Sequence, residues 1–474
     1  MRGDSDGMYY ILDPTVKLKK WKGSLPCYSY EGEIGRSFLS EADYALLKSC
    51  DGTTELPPCD SLFAFEAMKL IRRCGEGEFS LKNGQIREYP NYYFRSIDWT
   101  VTERCNFNCL HCFHAADNSR NWAEFSRDEA FALLREAEEC GIPGIRLTGG
   151  EPTLYPYFRE VLAQIKARGL VLKTLITNGA FLNEELLLFI KELHPNAQIM
   201  LSFDGIGTHD WMRQQIGSEQ QVKRAIRLSK AAGFYVKINM NVNRRNSAVM
   251  FDSARMLINL GVNEIRIIRT TEAPRWQLNA ADNSLTPEEY YDFSAEFAAQ
   301  YKREGLLTPV IIWQSLALHG ERKLFAVLPV KNCAEHYRDD ALLCSGWINK
   351  VSVQANGEVV PCAPFAGYNT LHGISFGNMK RDGLKKVLSE GPFVDFFSQT
   401  VGAKKRHNAQ CAACPYFTCC QGGCPALSIL SGGDALAPDA YKCVFFQRRY
   451  YDTFRSVLSD WSIKHPLPPE LQKG

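Results

Sequence analysis

Cys105-Asn106-Phe107-Asn108-Cys109-Leu110-His111-Cys112 follows closely on the strand-like run Ile97–Val101. Three thiols at C-x3-C-x2-C spacing can bind three irons of a [4Fe–4S] cluster, whose four irons call for four ligands. The fourth iron is then left for a ligand that is not protein.

Outward from this motif, residues from about 94 to 275 alternate strand and helix. Apolar or β-branched runs occur at Ile97–Val101, Gly144–Leu147, Leu172–Thr177, Gln198–Phe203, Tyr235–Val242 and Glu264–Ile268. Between them lie helical patterns with punctuation. Ser126 and Glu129 make a capping box, Asn183 opens a helix, and Gly141, Gly169, Gly233 and Gly261 each close one. Such alternation means βαβ units around a parallel sheet. In a barrel of these units, chemistry sits at the C-terminal ends of the strands, where the three cysteines fall. A doubly wound open sheet is the alternative.

At 474 residues, the length suggests about three domains. Hydrophobic residues at 45% and charged residues at 23% fit a soluble globular protein. A net charge of +2 gives no electrostatic case for nucleic acid or an anionic membrane surface. No apolar run approaches the roughly 18 residues of a membrane span, and Met1-Arg2-Gly3-Asp4-Ser5-Asp6 does not begin a secretory signal. A cytoplasmic location is expected. There are 17 cysteines, an odd number that argues against a disulfide framework in a reducing compartment. Their clustering, at 105–112 and again from Cys333 to Cys443, favours metal. Cys27, Cys50, Cys59, Cys74 and Cys140 are scattered and read as ordinary thiols.

After the second strand comes Thr148-Gly149-Gly150-Glu151-Pro152. Glycines permit close backbone approach, and a carboxylate accepts from an ammonium group. With C-x3-C-x2-C, this GGEP stretch resembles the radical S-adenosylmethionine (SAM) family, which implies a partial (β/α)6 TIM-like barrel. The resemblance implies that SAM binds the open iron, with Gly149, Gly150, Glu151 and Pro152 at its amino group. It also implies that Asn178, Ser202 and Asp204 lie near the cofactor, the last two on its ribose side, and that Arg213 pairs with its carboxylate through a bidentate fork. Asn241 and Arg269 are further strand-end candidates. His111, where the family usually carries an aromatic residue, is expected to stack or hydrogen-bond near the cluster.

Cys344, Gly357, Cys362, Cys411, Cys414, Cys420, Cys424 and Cys443 are spaced as in the seven-cysteine SPASM domain of that family. A zinc ribbon would explain C-x2-C but not so many thiols. The resemblance implies two auxiliary [4Fe–4S] clusters, making three in all. Cys344, Cys362 and Cys424 would ligate the first, with Cys333 as its fourth ligand. Cys411, Cys414, Cys420 and Cys443 would ligate the second, and Cys419 has no place in the pattern.

Residues 1–93 read as a winged-helix-like α+β domain, with a helix starting near Ser40 and Asp43 and a second over Leu62–Arg73. It resembles the leader-peptide recognition element of peptide-modifying radical SAM enzymes; a structural cap is the alternative. The remaining expected divisions are the radical SAM barrel at 94–275, a largely helical bridge at 276–340, the SPASM iron–sulfur domain at 341–450 and a tail at 451–474. The resemblance implies a 5′-deoxyadenosyl radical that abstracts hydrogen from a ribosomally made precursor peptide held through its leader. A ferredoxin or flavodoxin would supply the electron. The expected outcome is a thioether or carbon–carbon crosslink, with peptide epimerisation or sulfatase maturation as alternatives. Sulfatase-maturing relatives carry an aspartate directly after the second SPASM cysteine, where this chain has Ala363. An iron–sulfur electron carrier or simple peptide-binding module would need neither GGEP nor a barrel.

Overall fold

The computed structural model describes residues 8–31, 36–112, 122–270, 274–331, 337–344, 346, 350–366 and 373–472. The chain divides into two compact units, Met1–Tyr93 with Glu139–Gly141, and the remainder.

The N-terminal unit is α+β. Its described elements run β1 (Met8–Leu12), β2 (Val16–Lys22), β3 (Cys27–Tyr30), β4 (Ser37–Phe38), α1 (Glu41–Lys48), β5 (Asp51–Leu56), α2 (Asp60–Ala67), β6 (Ile71–Cys74) and β7 (Ile86–Tyr92). Two sheets form, ordered β5-β1-β6 and β4-β3-β2-β7. Ser40 caps α1 by accepting from Asp43 N at 3.0 Å. The second helix is shorter than the sequence suggested. Lys69 takes a left-handed backbone (φ 59°), which ends the helix, and Ile71–Cys74 then pairs antiparallel with β1. Tyr10, Leu12, Leu18, Leu47, Leu62 and Phe65 make its buried core.

The second unit is built on parallel strands. β8 (Ile97–Thr100), β9 (Gly144–Thr148), β10 (Val171–Ile176), β11 (Gln198–Ser202), β12 (Tyr235–Val242) and β13 (Glu264–Arg269) are adjacent in that order, each pair parallel. Helices alternate with them, including α3 (Arg127–Glu139), α4 (Phe158–Ala167), α5 (Glu184–Leu193), α6 (His209–Arg213), α7 (Ser218–Ala231) and α8 (Met250–Asn259). The capping box at Ser126 and Glu129 forms at the head of α3. Along β12, Val236, Ile238, Met240 and Val242 are fully buried while Lys237, Asn239 and Asn241 alternate with them. A sheet covered by helices on both faces reads as near-continuous apolar runs. The polar alternation, repeated at Arg146 and Arg266, instead marks one helix-covered face and one face lining a lumen. That is the partial barrel, not the doubly wound sheet.

The stretch expected as a helical bridge is only partly so. Helices α9 (Pro274–Ala280) and α10 (Pro287–Arg303) precede β14 (Val310–Ile312), β15 (Leu316–His319) and β16 (Leu324–Val327), which extend the sheet past β13. The apolar runs here are too short for helices and long enough to pair. At the other edge β17 (Val351–Val353) lies parallel to β8 and turns back into β18 (Val359–Val360). Short helices follow, and a helix at Tyr450–Val457 leads to β19 (Ser462–Ile463) beside β16. No helix among the described residues is long and apolar enough to cross a membrane.

Candidate active site

The loops bearing the cysteine motif, Glu151, Asn178 and Asp204 leave the C-terminal ends of β8 to β11, and Asn241 and Arg269 lie at the ends of β12 and β13. The glycine pair after β9 packs against protein backbone. A Cβ on Gly150 would stand 2.4 Å from Arg104 O and 2.5 Å from Glu103 O, and one on Gly149 would stand 2.9 Å from Thr102 O. Gly150 N donates to Thr102 O and Glu151 N to Arg104 O, each at 2.7 Å. The β9 loop thus lies on the segment that delivers Cys105.

Glu151 is fully buried and tied down. Its Oε1 accepts from Thr153 N (3.1 Å), Thr153 Oγ1 (2.6 Å) and Thr177 Oγ1 (2.7 Å), and its Oε2 from Asn178 N (2.8 Å). Burial raises its carboxyl pKa although each of these bonds lowers it. The Glu151 carboxylate therefore clamps the β9 and β10 loops together; of its two oxygens, Oε2 has the lone pair to spare for an ammonium group. Pro152 begins the short 3₁₀ turn that Glu151 caps. Asn178 Nδ2 donates to Asn106 Oδ1 at 2.8 Å, joining the β10 loop to the cysteine loop.

After β11, Ser202 is half-buried and Asp204 fully buried. Asp204 Oδ1 accepts from Asn241 N at 2.8 Å, and Oδ2 pairs with Arg213 Nη2 at 2.7 Å. Burial would raise this carboxyl; Arg213, followed by His209, holds it well below the usual carboxylate range. Arg213 Nη1 reaches Cys109 Sγ at 3.6 Å. The guanidinium is thus shared between a carboxylate and a thiol of the cysteine motif. Its Nε is buried and has no hydrogen-bond partner among the described residues, which leaves a donor for a ligand carboxylate. His111 Nε2 lies 3.2 Å from Asn241 Nδ2, and burial pulls its pKa down to about 3, so the ring is neutral. The guanidinium of Arg269 stacks 4.0 Å from the Tyr441 ring centre.

Two partners here escaped the sequence reading. Arg275, buried on α9, donates through Nη2 to Asn108 O at 3.0 Å and also to Asn108 Oδ1, bracing the cysteine loop. Asn246 donates through Nδ2 to Asp204 O (2.9 Å) and Asn241 O (2.8 Å). The asparagine-rich run along and just after β12 (Asn239, Asn241, Asn243, Asn246) carried a signal of this polar network; nothing local marked Arg275.

The cysteines sort in space. Burial first, and then Cys109 and Cys112, push the Cys105 thiol up to about 12. In the C-terminal region Cys362 faces Cys424 and Cys344, while Cys443 faces Cys420, Cys411 and Cys414. Cys333 lies outside the described residues. Among the described residues no three His, Cys, Asp or Glu side chains converge as they would on one metal ion. A four-iron cluster takes each thiolate on a different iron and needs them farther apart. Buried thiols release their protons only to a group that replaces that charge, as an iron–sulfur cluster does.

Residues 99–248 match the Radical SAM superfamily, and residues 344–415 match SPASM, an iron–sulfur cluster-binding domain. The AdoMet-dependent heme synthase of Oleidesulfovibrio alaskensis is 27% identical over 362 residues, 75% of this chain and 88% of that protein. The fold is similar to Streptococcus suis SuiB bound to precursor peptide SuiA, with a TM-score of 0.64 and 14% identity over 92% of this chain and 99% of that one. It is similar also to anSMEcpe with bound AdoMet and Cp18Cys peptide, with a TM-score of 0.55 and 17% identity over 77% of this chain and 96% of that one. The chain carries a Radical SAM domain followed by a SPASM domain and is a radical SAM enzyme of the SPASM type. Its cofactors are SAM and [4Fe–4S] clusters, both SAM-binding and auxiliary.

Proposed function

We propose that this enzyme modifies a ribosomally made precursor peptide, forming a thioether or carbon–carbon crosslink. One observation carries this reading: the likeness to SuiB, a protein seen with its precursor peptide, takes in 92% of the chain and so includes the N-terminal unit. In this reading Cys105, Cys109 and Cys112 hold the SAM-binding cluster. Cys344, Cys362 and Cys424, with Cys333, hold one auxiliary cluster, and Cys411, Cys414, Cys420 and Cys443 hold the other. When bound, the first cluster and SAM supply one-electron reductive cleavage and hydrogen abstraction.

The chain's own residues position and enclose. Gly149 and Gly150 let two loops meet, Glu151 and Asn178 lock them, and Arg213 places a cation beside Cys109 while offering Nε to the SAM carboxylate. Ser202 and Asp204 stand on the ribose side. The N-terminal unit holds the leader; its open groove of about 520 Å³ is lined by Lys20, Trp21, Glu41, Glu88 and Tyr89. A ferredoxin- or flavodoxin-type donor supplies the electron.

A second reading is supported by the 27% identity with a heme synthase: a substrate of the heme-precursor class. The formylglycine reading is less well supported, because Ala363 supplies no carboxylate beside Cys362. The deciding experiment mixes the anaerobically reconstituted enzyme, SAM and reductant with a short peptide encoded beside its gene. Peptide-dependent 5′-deoxyadenosine and loss of two hydrogens per crosslink are expected. An unchanged peptide mass with turnover identifies epimerisation. Turnover only with a heme precursor overturns the peptide reading.

A further inference from the structure

Cys420 and Cys424 belong to different auxiliary ligand sets, yet only Gln421, Gly422 and Gly423 separate them. All three residues take left-handed backbone, with φ of 51°, 79° and 79°. Space explains the glycines. A Cβ on Gly422 would stand 2.5 Å from Lys404 Cδ, and one on Gly423 would stand 2.4 Å from Asp439 Cβ. The loop between the two sets is therefore pressed against two buried, charged side chains.

Lys404 is wholly buried, yet among the described residues its Nζ donates only to neutral groups, Ser428 Oγ at 2.9 Å and Ala435 O at 3.4 Å. No carboxylate of the described residues lies within ion-pairing distance of it. Asp439, followed by Cys411, Cys420 and Cys424, supplies the negative charge that acts on it. Asp439 spends its carboxylate elsewhere, accepting from Cys424 N at 2.8 Å and Lys442 N at 3.2 Å. An ammonium buried among neutral partners is unfavourable, and neutral thiols do not offset that cost. A thiolate-ligated four-iron cluster is anionic and does. The reduced cluster is more negative still, so a buried cation nearby stabilises it and raises its potential.

We propose that Lys404 is a positioning residue for electron transfer, a fixed cation between the two auxiliary ligand sets that makes their clusters better electron acceptors. This rests on the reading that those cysteines ligate two clusters. The test uses full-length chain with Cys105, Cys109 and Cys112 changed to Ala, so that only auxiliary iron remains. Iron per chain is measured, and potentials are read by EPR-monitored redox titration in this parent and in K404M, K404Q and K404R.

With about eight irons retained in each, K404M and K404Q should shift an auxiliary potential to more negative values, and K404R should stay with the parent. Unchanged potentials at full iron content overturn the proposal. Iron loss in both neutral variants with K404R intact also overturns it, since the charge then holds a cluster instead of tuning it. A parent without auxiliary iron overturns the ligand reading itself, and the proposal with it.

Discussion

The guanidinium of Arg213 stands 3.6 Å from the sulfur of Cys109, on the far side of a carboxylate pair with Asp204 at 2.7 Å. Both ion-pair partners are under one-tenth exposed, so neither can turn to water if the other is removed. Arg213→Met should therefore destabilise the chain by about 3 kcal/mol, the cost of leaving a buried carboxylate alone. Adding Asp204→Asn should restore part of that loss. Denaturant unfolding of Arg213→Met, Asp204→Asn alone and the double variant measures both steps; additive losses would mean the two residues do not interact.

The contact of Gly150 with the Arg104 and Glu103 carbonyls predicts a selective defect. A methyl group there collides with backbone, which cannot swing aside as a side chain does. Gly150→Ala should displace the segment before Cys105 and lower bound iron by about four atoms per chain. Auxiliary iron should remain. Iron content that is unchanged would show that the loop yields.

The six barrel strands were legible because each carries a run of apolar or β-branched residues, four of them closed by Gly149, Asn178, Gly205 or Asn243. Their observed limits fall within a residue or so of the sequence reading. The site was half legible. Motif spacing pointed to Glu151, Asp204 and Arg213, but not to what their atoms touch. Glu151 turned out to bond three residues of two loops, and Arg213 to bridge Asp204 and Cys109. Arg275 was invisible because its partner, Asn108, lies 167 positions away. Ile71–Arg73 looked helical because local composition continued the pattern, and pairing with β1 overrode it.

Asp98, at the start of β8, accepts from Arg146 Nη1 and Lys350 Nζ, both at 2.6 Å. Burial would raise its pKa, but Lys350 and then Arg146 carry it below the ordinary value. Asp98→Asn should cost about 2 kcal/mol, less than for a fully enclosed pair because Lys350 keeps some contact with water. The sign of the pH dependence follows from linkage. A depressed folded pKa gives stability that is complete above the unfolded value, near 3.9, and is lost as pH falls through the folded one. The difference between wild type and variant should then be constant from pH 6 to 8. A difference that changes across that window would assign the stability to another group.

Leu62 offers a way to separate the N-terminal unit from the chemistry. It is fully buried in that unit's core with Tyr10, Leu47 and Phe65. Leu62→Ala should cost about 3 kcal/mol of that unit's stability, combining lost transfer energy with a residual cavity. The cysteine ligands all lie in the other unit, so iron content and uncoupled SAM cleavage should be preserved. Peptide binding, measured by fluorescence anisotropy of a labelled precursor, should weaken as the unit loosens, whereas a shortened peptide lacking its leader should react equally with both proteins. If the variant binds full-length precursor as wild type does while its N-terminal unit is shown to melt at lower temperature, the leader is held elsewhere.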